Sequence, residues 1–512
     1  MKIFRLILIL FCIGSFFASA CQADKNPAGD IREPAVAGKF YPDNADKLKR
    51  AIEFFLRDAL PGRIKKPVAL IVPHAGYIFS GQICADAFLQ VRNQKYDTVV
   101  ILGTNHTRPD FRKVSLYSGD GFRTPLGTAH VDKNIVSALK KADPDLCVPD
   151  KSLHEREHSL EVVVPFVQAI FPKARIVPVV VASTDTETAV RFGRVLANVL
   201  HNRNVLIIAS SDLSHYPAAR DADIVDRETL AAITTLDPDL LTAAIKAHAA
   251  GNIDNLSTSA CGEAPIIAVM AAAKSLGAVR GEIISYANSG DTSIGERSRV
   301  VGYGAVVFTK ENQGYTSAVT DQPKSAAGSD RLSSADKKAL LAFARETISR
   351  IFLTDTVPLA RGFSADLQQP RGVFVTLRKQ GELRGCIGHM IADEPLAKLV
   401  GTMALQAAFN DNRFMPLSTE ELKDVEIEIS VLTPMKKVAG AGDIVAGRDG
   451  VLLNKDGASA VFLPQVATEQ GWNRDTMLDN LCRKAGLEKG CWQTGARFST
   501  FQALVFSESQ LK

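Results

Sequence analysis

The sequence predicts an α/β domain built on a mixed sheet flanked by helices, followed by a smaller α+β domain. Three observations carry this. A short apolar, β-branched run, a turn rich in polar side chains and a helix-like segment recur three times between Val68 and His215. A stretch with almost no large apolar residue, 311–334, interrupts the alternation. Beyond it, a hairpin signal leads into one helix and a further strand. At 512 residues the chain exceeds one ordinary core, which agrees with a division into domains.

In chain order, Lys2 and Arg5 precede an apolar run over 6–17, and Ala18-Ser19-Ala20 supply small residues. This is the pattern of a cleaved secretory signal over 1–20. The run is shorter than the roughly 20 residues that span a bilayer, which argues against an anchor helix. Cys21 follows at once, as in a lipoprotein lipobox, although Ala18 stands where such motifs carry Leu. Cys21 is either a lipid attachment site or an ordinary residue at a new N-terminus. Residues 21–30 read as a tether. An exported protein is expected, periplasmic or membrane-anchored, touching the membrane only through a lipid on Cys21.

The first domain is expected over 31–310. Its apolar runs at 68–72, 98–102 and 205–209 fit strands buried on both faces of a parallel or mixed sheet. The turns after them are Pro73-His74-Ala75-Gly76, Gly103-Thr104-Asn105-His106 and Ser210-Ser211-Asp212-Leu213-Ser214-His215. In open α/β sheets, ligands collect beyond the carboxyl ends of the strands. One His after one strand is usually a loop residue. Three strand ends delivering His74, His106, Asp212 and His215 to one edge point to a shared site, and imidazole is the commonest borderline metal ligand. Cys261 precedes an apolar helix expected over 266–276. There the helix dipole favours a thiolate suited to metal binding or nucleophilic work, the alternative being a small packing residue.

Two decoys are set aside. His154-Glu155-Arg156-Glu157-His158 is a literal HExxH, but zincins carry that motif inside a helix. Here a polar loop precedes it and Pro165 follows, so a helix should begin at the motif, with Glu157, His158 and Glu161 as pocket-rim or helix-start residues. Hydrolysis through Ser210 or Ser211 lacks the Gly-x-Ser-x-Gly elbow.

Residues 311–332 read as a linker and 333–510 as the second domain. Strands at 373–377 and 383–387 flank Lys379-Gln380-Gly381, a hairpin signal; a helix over 395–409 and a strand over 425–432 follow. Eight cysteines, two of them in or at the signal, are too few for a disulfide scaffold. Cys482 and Cys491 either pair in an oxidising compartment or remain partly buried thiols. Net charge is only +4 and no dense Lys/Arg run is present, which gives nucleic-acid binding no support.

The motifs also follow a known order. Gly38-Lys39-Phe40-Tyr41-Pro42, Pro73-His74-Ala75-Gly76-Tyr77, Ile101-Leu102-Gly103-Thr104-Asn105-His106, Glu157-His158-Ser159-Leu160-Glu161, Ser210-Ser211-Asp212-Leu213-Ser214-His215, Cys261-Gly262 and Tyr286-Ala287-Asn288 resemble the Memo family across the whole first domain. That family is similar in fold to the class III extradiol dioxygenases, which use non-haem iron. The resemblance implies His74, His106 and Cys261 as metal ligands, with Asp212 and His215 lining the pocket. His215 would serve as general base, oriented by Asp212. A thiolate in place of the usual carboxylate is softer, and two His with one Cys also form blue-copper cores, so iron and copper both remain open.

In the second domain Leu383-Arg384-Gly385-Cys386-Ile387-Gly388, Ala407-Ala408-Phe409-Asn410-Asp411-Asn412-Arg413-Phe414, Leu463-Pro464-Gln465-Val466-Ala467 and Cys482-Arg483-Lys484-Ala485-Gly486-Leu487 resemble the AMMECR family. Arg384 and Arg413 either bind an anionic ligand beside a reactive Cys386 or are solvated arginines beside a packed thiol. Genes for both families accompany a radical SAM protein in the AmmeMemoRadiSam system. The resemblance therefore implies a functional link to such an enzyme, which an exported chain could not contact directly: either residues 1–20 are not a signal or the exported form has its own role. The expected activity is metal-dependent oxidation of a small organic substrate; the rival is a metal-binding or adaptor protein.

Overall fold

The computed structural model describes residues 29–183, 185–311 and 332–511. The expected signal, Cys21 and nearly all of the tether and linker lie outside the described residues.

The first domain is built on an eight-stranded sheet. Its strand order is Arg280–Asn288, Gly302–Thr309, Pro67–Val72, Val205–Ser210, Thr98–Gly103, Arg175–Val181, Val114–Leu116 and Cys147–Pro149. The four strands from Pro67–Val72 to Arg175–Val181 are mutually parallel, and antiparallel neighbours flank them. Three of them are the predicted apolar runs and Arg175–Val181 is a fourth of the same kind, with residues such as Leu70, Ile101, Val177 and Ile208 fully buried. Burial on both faces is what a helix-covered parallel sheet demands.

The helix Glu263–Ser275 packs on the central strands and against Thr186–Leu200. It is apolar almost all round, as a helix enclosed by sheet and helix must be. Gly193 permits that crossing, because a Cβ there would sit 2.4 Å from the Ala268 carbonyl oxygen. The helix starts three residues before the predicted 266. Pro265 falls in its first turn, where a missing N–H breaks no intrahelical bond. Ala45–Arg57, by contrast, buries only one face, and the Asn44 side chain accepts the Asp46 and Lys47 amides as its N-cap.

The second domain holds two four-stranded antiparallel sheets, where the sequence suggested only mixed α+β. One runs Glu382–His389, Val373–Lys379, Val425–Leu432, Ala503–Ser507. The helices Ser334–Thr354 and Leu396–Phe409 share its core. Gln380 (φ 53°) and Gly381 (φ 84°) make the predicted hairpin turn, both in the left-handed region that suits a two-residue connection. The other sheet comprises Lys436–Val438, Arg497–Phe501, Gly450–Lys455 and Ala458–Phe462, with the helix Arg474–Lys484 in its core. Cys482 and Cys491 form a disulfide there, which settles the pairing left open above. Among the described residues no helix is long and apolar enough to cross a membrane.

Candidate metal centre

Pro67–Val72, Val205–Ser210 and Thr98–Gly103 are parallel neighbours, so their carboxyl ends open onto one edge. The turns beyond them bring His74, His106, Asp212 and His215 to that edge. Cys261 arrives from the far side, where the Gly262 N–H donates to Ser211 Oγ at 2.9 Å and the Cys261 N–H to the Asp212 carbonyl at 3.2 Å. Gly262 is required at this approach: a Cβ would lie 2.6 Å from that of Ser211.

The distances are those of a candidate ligand cluster. Cys261 Sγ lies 3.2 Å from His74 Nε2, and Asp212 Oδ2 lies 3.9 Å from the same nitrogen. The His74 and His106 ring centroids are 5.3 Å apart. His158 joins them, with its ring stacked on His106 at 4.5 Å and edge-on to His74 at 5.4 Å. Ligand atoms of His74, His106 and His158 lie within 4.8 Å of one another, as do those of His74, Asp212 and Cys261.

Hydrogen bonding fixes which nitrogens are free. Ser210 Oγ spends its proton on the Ser159 carbonyl at 2.5 Å, so it accepts from His74 Nδ1–H at 3.0 Å. His106 Nδ1–H donates to Glu157 Oε1 at 2.9 Å, while Glu157 Oε2 accepts the His106 amide at 2.7 Å. Both imidazoles therefore present a bare Nε2, the arrangement in which a partner on one nitrogen orients the other toward a metal. His215 Nδ1–H donates to the Leu213 carbonyl at 3.0 Å, so this carbonyl, and not the expected Asp212, orients the ring.

Burial, reinforced by His106, lowers the His74 imidazole to about 3. Burial, with His74 and His106 nearby, lowers His158 to about 4. Both stay neutral at ordinary pH, as metal ligands must. Burial pushes the Glu157 carboxyl up, but hydrogen bonds from the His106 ring and amide and from the Ser159 amide outweigh it and hold the group at about 2. Burial, then the Asp212 carboxylate, raise the Cys261 thiol well above its usual range. The helix-dipole expectation of a ready thiolate therefore fails in the metal-free protein: Cys261 sits ahead of the helix, but half-buried beside the Asp212 carboxyl. Asp212 itself, raised by burial, accepts the His74 amide at 2.8 Å and the Ala75 amide at 3.2 Å through Oδ1, and so shapes the ligand loop.

The HExxH residues part company. His154 is buried away from the cluster with Nε2 3.0 Å from Ser115 Oγ, and the four-residue helix His158–Glu161 begins at the motif's last residue with Glu157 as N-cap. Glu157 and Glu161 are not rim residues; both are fully buried. Glu161 takes Arg32 at 2.7 Å, the Tyr41 hydroxyl at 2.6 Å and the Ala35 and Val36 amides, pinning the start of the domain. His158 escapes strand-end reasoning because it follows no strand.

In the second domain the two arginines are already engaged. Arg384 bonds both Glu421 oxygens at 3.1 and 2.9 Å, and Arg413 holds Asp411 at 2.9 and 2.7 Å. The Cys386 amide donates to Asp411 at 2.8 Å, the Thr376 hydroxyl lies 3.3 Å from its sulfur, and burial pushes the thiol up. Internal carboxylates thus engage one side of each guanidinium, while Arg384 Nη1 is buried without a hydrogen-bond partner among the described residues.

Residues 32–307 match the family described as Memo-like protein, and residues 341–506 the one described as AMMECR1. MEMO1 family protein MK0963 of Methanopyrus kandleri is 37% identical over 295 residues, covering 54% of this chain and 99% of that protein. A MEMO1 family protein of Aquifex aeolicus is 37% identical over 279 residues, with the same two coverages. The crystal structure of uncharacterized protein PH0010 from Pyrococcus horikoshii is 32% identical, covers 35% of this chain and 94% of that one, and has a TM-score of 0.34. The chain belongs to the Memo-like family, with an AMMECR1 domain following its Memo domain.

Proposed function

We propose that the first domain is a metal-dependent redox centre, holding non-haem iron or copper and acting on a small organic substrate. One observation carries the reading: the anchored imidazole of His74 is shared by two adjoining groups of candidate ligands, His74 with His106 and His158, and His74 with Asp212 and the Cys261 thiol. Imidazole with thiolate suits iron or copper and is foreign to magnesium or calcium sites, which are built of oxygen. Bound there, the metal would supply one-electron chemistry and a Lewis-acidic position. His74, His106 and Cys261 would hold it with His158 as a further donor, Cys261 giving up its proton on binding. His215 Nε2 would take a proton from the substrate. Oxygen uptake by iron- or copper-loaded protein against a panel of small phenols tests this. Wild type should consume oxygen, and His215→Gln should keep its metal while losing about 100-fold or more of the rate. Bound metal with no uptake on any phenol would support the carrier reading instead.

We further propose that the protein is exported, with any link to a radical SAM enzyme indirect. The signal-like residues 1–20 and the Cys482–Cys491 disulfide support this, since such bonds persist in oxidising compartments. Fractionation should place wild type with the membrane and Cys21→Ala in the soluble exported fraction. Unchanged membrane attachment of Cys21→Ala would dispose of the lipid.

A further inference from the structure

The carboxylate of Asp86, in the first-domain helix Tyr77–Leu89, is fully buried. Its cationic partner comes from the other domain: Arg361 binds it through both guanidinium arms, at 2.6 and 2.9 Å. A buried carboxylate is strongly disfavoured without such a partner. A second arginine repeats the pattern. Arg350, in the helix Ser334–Thr354 and 1% exposed, pairs with Asp58 of the first domain and with Glu346 at 2.7 Å, and lies 5.0 Å over the Phe54 ring. Lys47–Asp355, at 2.8 Å, adds an exposed pair at the rim.

Apolar contacts run beside the charges. Leu359 packs against the first-domain core and forms an antiparallel bridge with Thr292. On the next residue, Ser293, the helix Leu396–Phe409 comes so close that a Cβ on Gly401 would lie 2.2 Å from its Oγ. Thr292 and Ser293 belong to the loop joining Arg280–Asn288 to Gly302–Thr309. The same loop reaches the metal centre at its other end. The Val300 carbonyl accepts the Tyr216 amide at 2.6 Å, Val301 bridges His215, and Arg299 stacks 3.9 Å over the Tyr216 ring. Tyr216 has φ 77°, a conformation that a non-glycine residue keeps only where its surroundings impose it.

We propose that the second domain is a clamp. It docks on the Asp58–Asp86 face of the first domain independently of the linker, and by gripping Thr292 and Ser293 it holds the loop that fixes His215 and Tyr216. The docking stands on its own; only its bearing on catalysis rests on the redox reading above.

The test uses the full chain with a protease recognition sequence placed in 312–331. After cleavage the halves should elute together, and an Arg350→Ala/Arg361→Ala double variant should separate them. In the uncut double variant, amide hydrogen exchange over 289–301 and 214–217 should quicken about tenfold or more, while Lys47→Ala, at the exposed pair, leaves it unchanged. Should the double variant fold poorly by circular dichroism, Arg361→Lys, which keeps the charge but loses the two-armed contact, should show a smaller quickening in the same peptides. Halves that part on cleavage of the wild type overturn the docking. Halves that stay together while exchange is unchanged in every arginine variant overturn the clamp.

Discussion

His74 offers one nitrogen to Ser210 and the other to Cys261, and burial keeps it neutral to about pH 3. The same burial lowers His154 to about 3 and His158 to about 4. In the unfolded chain these imidazoles protonate near their ordinary 6.5; in the folded, metal-free protein they refuse the proton. Their contribution is therefore fully present above about pH 6.5 and is lost as pH falls from there toward 4 for His158 and toward 3 for His74 and His154, at up to about 1.4 kcal/mol per pH unit for each proton taken up. Urea midpoints of chelator-treated protein should be level from pH 8 to 7 and fall steadily from 6.5 to 5, with a shallower fall in His158→Asn. A midpoint indifferent to pH over that range would mean the rings are solvated. At this scale the sequence was partly legible. His74, His106 and Cys261 stand next to strand or helix ends that periodicity reveals. The sequence places His158 and its neighbour Glu157 at a helix start or pocket rim, but only tertiary folding lays that short helix beside His74 and His106.

The elements that carry the centre depend on close backbone approaches that composition hints at but cannot locate. Three parallel neighbours could be read from unbroken β-branched runs, since burial on both faces leaves that trace in the residues themselves. The second sheet of the second domain left no such trace. Its short strands alternate weakly, and Lys436–Val438 is exposed along most of its length. Gly193 is the sharpest case of a hidden constraint, a glycine inside a helix whose reason is the Ala268 carbonyl of another. Gly193→Ala should therefore destabilise by about 1–3 kcal/mol through overpacking, although alanine is the better helix former. A denaturant midpoint equal to or above wild type would show that the two helices have room to part.

For the whole molecule, a Memo domain and an AMMECR1 domain meet through arginine–carboxylate pairs with one buried member each, and a sheet edge gathers loops remote in sequence around His74. The division into two domains was legible in the sequence from the apolar-poor segment between them. Their docking was not, since Arg350 and Arg361 look like any surface arginine until the fold buries one and aims the other at Asp86. The proposed function rests on the cluster holding an ion. The direct measurement is metal content of protein purified from its native compartment, wild type beside His74→Ala and Cys261→Ser, each shown to be folded by circular dichroism. About one iron or copper per chain is expected in the wild type, with loss from both variants. Metal retained at the wild-type level in both variants would contradict the proposed centre.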